Sequence, residues 1–226
     1  MHGLYQTVKL VFKNKMSMIF ISCISAGIIL SIGYAVLKPR YIDEWRECGW
    51  RTCVTESDDF IRVGRIATRG GKKFVRLMQE RMQSGSTVPV VVRVDSVGGN
   101  FGVAMAMTEA LRSLEAPRPV RIEVLAEGRC ESMCTVLWAA ASERVAAPEA
   151  RFMFHGPAYG LHRKPGDGLE ADAMAMEQAV RRVDPVLADH LKARQAFVPA
   201  GPKVELMAAE IAALGGNYLR LDPALR

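Results

Sequence analysis

At 226 residues, 50% hydrophobic and 24% charged, the chain has the make-up of an ordinary globular protein able to bury one good core, which excludes a disordered chain. The net charge of +6 does not mark a nucleic-acid surface. Lys9, Lys13 and Lys15 precede an apolar segment with no acid among them; without them 27 basic residues face 24 acidic ones, a net +3 with no basic stripe or stacking aromatics.

A short tail, residues 1–15, leads into Met16 to Leu37, about 22 residues with no charge, enough to cross a hydrocarbon core at 1.5 Å per residue. We read residues 16–37 as a single membrane anchor, longer than the core of a cleavable signal, for which Gly33 and Ala35 offer small residues. The lysines before the segment have no acids beside them, whereas Asp43, Glu44 and Glu47 dilute the basic residues after it. That balance places the main domain outside the cytoplasm, periplasmic or extracytoplasmic. Residues 38–59, with Trp45 and Trp50, form a juxtamembrane connector, and 60–226 the folded domain. Cys23 lies in the apolar run; the other cysteines fall as two local pairs, Cys48 with Cys53 and Cys130 with Cys134, which suits an oxidising compartment. Separations of five and four with no nearby histidine argue against zinc, and neither metal nor cofactor is expected.

Within the domain, Phe60 to Ile66 reads as a weak strand, Arg69-Gly-Gly71 as a break, and Phe74 to Met82 as a helix ending near Ser84-Gly85. Val88 to Val94 is nearly continuous and β-branched, as in a strand buried on both faces. It ends in Asp95-Ser-Val-Gly98-Gly99, and Val103, Met107, Ala110, Leu111 and Leu114 then follow helical spacing. A strand at Val120 to Leu125 runs into Gly128 and Ser132, a helix at Thr135 to Ala141, and a strand at Phe152 to Phe154 ending at His155. Alternation of this kind predicts a mostly parallel sheet with right-handed crossovers, whose ligand sites gather at the carboxyl ends of its strands. Gly98, Ser132 and His155 are expected there, on one rim of one sheet. Gly156 to Gly168 reads as a flap, Leu169 to Phe197 as a helix broken at Asp184-Pro185, Glu205 to Leu214 as a helix and Tyr218 to Leu221 as a short strand.

Taken together, Ser96-Val-Gly-Gly99, Gly128-x-Cys-x-Ser132-Met-Cys134 at the head of a helix, and Phe152-x-Phe-His155 resemble the proteolytic subunit of Clp protease. The likeness covers roughly Val88 to Gly216 and is closer to membrane-anchored or periplasmic relatives within the Clp and crotonase superfamily. It implies an α/β fold with a Clp/crotonase-like repeated β-β-α and βαβ core and a mostly parallel sheet, here preceded by one transmembrane helix. It also implies a homo-oligomer acting on peptide or protein substrates. By resemblance Ser132 is the nucleophile, His155 its base, and the amides of Met133 and of Gly98 or Gly99 the oxyanion donors. The chemistry agrees: a serine hydroxyl attacks only when a base takes its proton, and the oxyanion needs preorganised N–H groups.

Two departures stand out. Val97 occupies a usual proline position, and Pro199-Ala-Gly-Pro-Lys203, where the family's triad Asp belongs, holds no carboxylate. Asp184, Asp189 and Glu205 are the alternative acids, and a Ser-Lys arrangement would draw on Lys164, Lys192 or Lys203. A catalytically degenerate scaffold is the competing reading. Acyl-CoA chemistry on the related crotonase fold finds no nucleotide-binding signature in its support.

Overall fold

The computed structural model describes residues 54–84, 86–114, 119–158 and 168–226. The tail, the anchor, the connector as far as residue 53, Cys23, Cys48, Cys53 and most of the flap lie outside the described residues. Among those described, no helix is long and apolar enough to cross a membrane.

Nine strands and six helices are described. Strands β1 (Val54–Glu56) and β2 (Ile61–Val63) precede α1 (Thr68–Gln83), β3 (Val90–Val94), α2 (Phe101–Leu114), β4 (Val120–Val124) and β5 (Arg129–Glu131). Then come α3 (Met133–Trp138), β6 (Glu143–Ala146), β7 (Arg151–Phe154), α4 (Leu169–Val183), α5 (Pro185–Ala193), β8 (Val204–Met207), α6 (Ala208–Ala213) and β9 (Arg220–Leu221). The main sheet has the order β1-β2-β3-β4-β6-β9 and is parallel from β2 onward; only the β1–β2 pair is antiparallel.

Ile61, Val63, Val90, Val92, Val94, Val120, Ile122 and Val124 are all nearly inaccessible, the alternate residues that a pleated sheet turns to one face. Phe74, Leu77 and Met78 of α1 and Met107 and Leu111 of α2 belong to the same core.

Three expectations are corrected. The strands do not share one sheet, because β5, β7 and β8 form a second, three-stranded sheet in which β5 and β7 are parallel and β8 runs antiparallel to β7. Gly70-Gly71 does not break the chain but lies inside α1. A side chain at Gly71 would overlap Val103, so the glycine lets α1 and α2 approach closely. The segment from Glu205 begins as strand β8, with Val204 and Leu206 buried and Glu205 and Met207 exposed; pairing with β7 overrides a sequence equally compatible with helix, which starts only at Ala208. Helix α3 also lies slightly earlier than Thr135 to Ala141, and β5 and β6 add two short strands to those the sequence pattern predicts.

The second sheet is tied to the C-terminal part by an aromatic cluster. Phe152 packs edge-on to Trp138 and to Tyr218, with centroids 5.1 and 6.2 Å apart, and Phe154 lies 5.9 Å from Tyr218. Asp184 anchors the same region. Its carboxylate is 1% exposed, accepts from the Leu187 N–H at 2.9 Å to cap α5, and accepts from the Tyr218 N–H at 2.9 Å.

Replacing Asp184 by Ala removes a helix cap and leaves the Tyr218 N–H without its acceptor, a loss of about 2–4 kcal/mol. Thermal denaturation of Asp184→Ala is expected to show a midpoint lower by on the order of 10 °C; a midpoint within about 2 °C of wild type would contradict this placement.

Candidate functional site

The site is assembled where β5 turns into α3. Strand β5 pairs with β7 through Arg129 with Arg151, Cys130 with Phe152 and Glu131 with Met153, and on its other side Ser96 bridges to Cys130. The chain then reverses at Ser132, which has φ 55° and ψ −125°. This is a sparsely populated conformation for a residue with a Cβ, costing about 1–3 kcal/mol, and it persists only where the surroundings overdetermine it.

Those surroundings are specific. The Ser132 N–H donates to Met153 O at 2.7 Å, and Ser132 O accepts from the Thr135 N–H at 2.9 Å and from the Thr135 hydroxyl at 2.7 Å. Thr135 O in turn accepts from the Tyr218 hydroxyl at 2.9 Å. Burial raises the Tyr218 pKa, so the phenol stays protonated and remains a donor. The Ser132 side chain makes no capping bond to α3, although an N-cap would use its hydroxyl that way. That hydroxyl is left for other chemistry.

The glycine turn after β3 is pressed onto this elbow. Gly98 has φ 80°, and a Cβ there would lie 2.7 Å from Ser132 Cβ and 3.0 Å from Met133 N. Gly99 has φ 152°, and a Cβ would overlap the Ile66 carbonyl. The two amides differ. The Gly98 N–H donates to Ser96 Oγ at 3.1 Å, whereas the N–H groups of Gly99 and Met133 make no hydrogen bond among the described residues. Because Ile66 N donates to Gly98 O and Asn100 N donates to Ile66 O, the Gly99 N–H faces away from Ile66.

Continuing the β5–β7 register by one residue sets Ser132 beside Phe154, and His155 follows immediately. The imidazole is half-buried, with Nδ1 2.6 Å from Gly156 O. A carbonyl only accepts, so Nδ1 carries the proton in this contact and Nε2 keeps the lone pair of a base. Gly156 is held against the chain at Phe197 and Val198, where a side chain would overlap both carbonyls, and the Ala200 N–H donates to Pro157 O at 3.0 Å. The stretch lacking the acid therefore does pack beside His155.

Two of the alternative acids are engaged elsewhere, and the third makes no bond to His155 among the described residues. Asp184 is committed to Leu187 and Tyr218, Asp189 is exposed and paired with Arg181 at 2.8 Å, and Glu205 lies exposed opposite Met153. None bonds His155 among the described residues. Lys192 is exposed and 3.2 Å from Glu177, Lys203 is exposed just before β8, and Lys164 is outside the described residues.

Cys130 and Cys134 form a disulfide with Cα atoms 5.2 Å apart, bracketing Ser132. By loop-closure entropy, so short a ring stabilises the global fold by only about 2 kcal/mol. Its larger effect is local. The roles of Ser96, Thr135, Tyr218 and the Gly156 carbonyl follow from the backbone path of the fold: Ser96, Thr135 and Gly156 bond within three residues and Tyr218 reaches across the chain, and no sequence motif signals them.

Fold and site together define an α/β domain whose serine elbow, glycine turn and histidine lie at the ends of neighbouring strands. A model of the Clp protease family matches residues 65–200, more than half of the chain, and the chain belongs to that family. It is similar to the ATP-dependent Clp protease proteolytic subunit 1 of Rhodococcus jostii (strain RHA1), 31% identical over 103 residues, which are 45% of this chain and 45% of that relative. The chain thus spans less than half the length of the curated relative it matches.

The elbow separates a strained serine from a plain N-cap. Ser132→Gly should relieve the positive φ and raise stability by about 0.5–1 kcal/mol over wild type in urea unfolding. A cap alone would instead make glycine a few tenths of a kcal/mol less stable than serine, and that result would contradict the strain.

Proposed function

We propose that the chain is a membrane-anchored serine peptidase of the Clp proteolytic-subunit type, hydrolysing peptide bonds in peptide or protein substrates. The observation that carries the reading is Ser132, held at φ 55° with its hydroxyl unused for capping, directly beneath the Gly98-Gly99 turn. Ser132 Oγ attacks the scissile carbonyl and passes its proton to His155 Nε2. The oxyanion is received by the two amides without a partner among the described residues, Gly99 and Met133, while Gly98 shapes the turn that presents the first of them. Losing one such donor typically lowers the rate about 10²- to 10³-fold. His155 then returns the proton to the leaving amine, and water repeats the sequence to release the acyl group.

The absent acid is offset in part by the Gly156 carbonyl, which fixes the tautomer a carboxylate would otherwise fix. A neutral dipole stabilises the imidazolium less than a carboxylate does, so a lower rate than that of a complete triad is expected. The same absence supports the second reading, a catalytically degenerate scaffold or assembly module.

The reading extends to the whole chain: residues 1–15 a tail, 16–37 the anchor, 38–59 a connector and 60–226 the Clp protease-like domain. Its support for a location beyond the inner membrane is the uncharged run Met16 to Leu37 together with the disulfide, a bond of oxidising compartments. A homo-oligomer is proposed from family membership.

A fluorophosphonate probe should label the wild-type chain and not Ser132→Ala, and His155→Ala should slow labelling by about 10²- to 10⁴-fold. Equal labelling of wild type and Ser132→Ala would contradict the nucleophile. The scaffold reading predicts instead that both variants keep the protein's cellular role.

A further inference from the structure

We infer that the Cys130–Cys134 disulfide is a positioning element for Ser132, so that the reactivity of the serine depends on the redox state of this bond. The inference rests on the peptidase reading above and deepens it. Four residues of extended chain would separate Cα130 from Cα134 by about 13 Å, whereas a disulfide tolerates only about 4.4–6.8 Å. The observed 5.2 Å is reached because the chain doubles back at Ser132. The bond is thus compatible with the turned elbow and incompatible with a straightened one.

Its two ends sit on different elements. Cys130 is in β5, clamped between Phe152 of β7 and the Ser96 bridge, and Cys134 is in the first turn of α3; both are fully buried. The bond therefore fixes α3 to β5 across the three residues that carry the nucleophile and the Met133 amide. Hydrogen bonds through Met153 and Thr135 hold Ser132 itself, but none of them fixes α3 directly to β5. Reduction by a dithiol would transfer two electrons and two protons, leaving two thiols on the protein and a cyclic disulfide on the reductant. The two sulfurs would then be free to separate, and a 1 Å misplacement of a catalytic group is worth about 10²-fold in rate.

The test uses the purified full chain and the fluorophosphonate probe, with the limiting inactivation rate and the probe's half-saturating concentration measured separately. Cys130→Ala/Cys134→Ala is expected to lower the limiting rate by about 10²-fold with half-saturation little changed, while far-UV circular dichroism stays native. Wild type treated with dithiothreitol should lose rate equally once alkylation mass spectrometry shows both thiols free, and should recover on reoxidation. That reversible arm decides the matter if the double variant does not fold.

A rate within about threefold of wild type in the folded double variant, or in the reduced wild type, would overturn the positioning role and leave the peptidase reading standing. Loss confined to half-saturation would overturn it too, since a merely structural defect in the binding surface acts there. No adduct on oxidised wild type would reject the peptidase reading and this inference with it.

Discussion

The reversal of the chain at Ser132 is the constraint on which the rest of the site depends. A residue with a Cβ held at φ 55° needs support from several directions, and the structure supplies it from β7 through Met153, from α3 through Thr135 and from β5 through the Cys130–Cys134 bond. The Gly98 turn closes over it so tightly that a side chain there would meet Ser132 Cβ. Each support comes from a different segment, so the conformation is a product of the tertiary fold rather than of local sequence preference.

This arrangement explains why two sheets are needed where one was expected. The main sheet delivers the glycine turn at the end of β3, and the three-stranded sheet delivers Ser132 and His155 at the ends of β5 and β7. The bridge from Ser96 to Cys130 is where the two meet, bringing an amide from the first sheet over a hydroxyl from the second. The aromatic cluster of Trp138, Phe152, Phe154 and Tyr218 then fixes the second sheet from behind, and the Tyr218 hydroxyl reaches through to Thr135 beneath the elbow.

Legibility in the sequence follows the range of the interactions involved. Val90 to Val94 is nearly continuous and β-branched and Val120 to Val124 alternates β-branched with charged residues, so both are readable as strands from local pattern alone, and the Asp184-Pro185 break shows where α4 ends and α5 begins. Ser132, His155 and the glycine pair were singled out by order and context, and the structure brings them to adjacent strand ends. What could not be read were β8, whose residues also suit a helix until they pair with β7, and two local contacts that depend on the backbone path the fold imposes: the Ser96 Oγ that takes the Gly98 N–H, and the Gly156 carbonyl that meets His155. Gly71 serves close helix packing against Val103 rather than a turn, a role its neighbours in the chain do not signal.

The central claim is that the elbow serine and the amides of Gly99 and Met133 form one catalytic unit. The most direct measurement is a crystal structure of the chain after reaction with a fluorophosphonate. The account predicts phosphorus bonded to Ser132 Oγ and the phosphoryl oxygen about 2.7–3.1 Å from both the Gly99 and the Met133 nitrogens. A phosphoryl oxygen turned to solvent, or an adduct on any other residue, would contradict it.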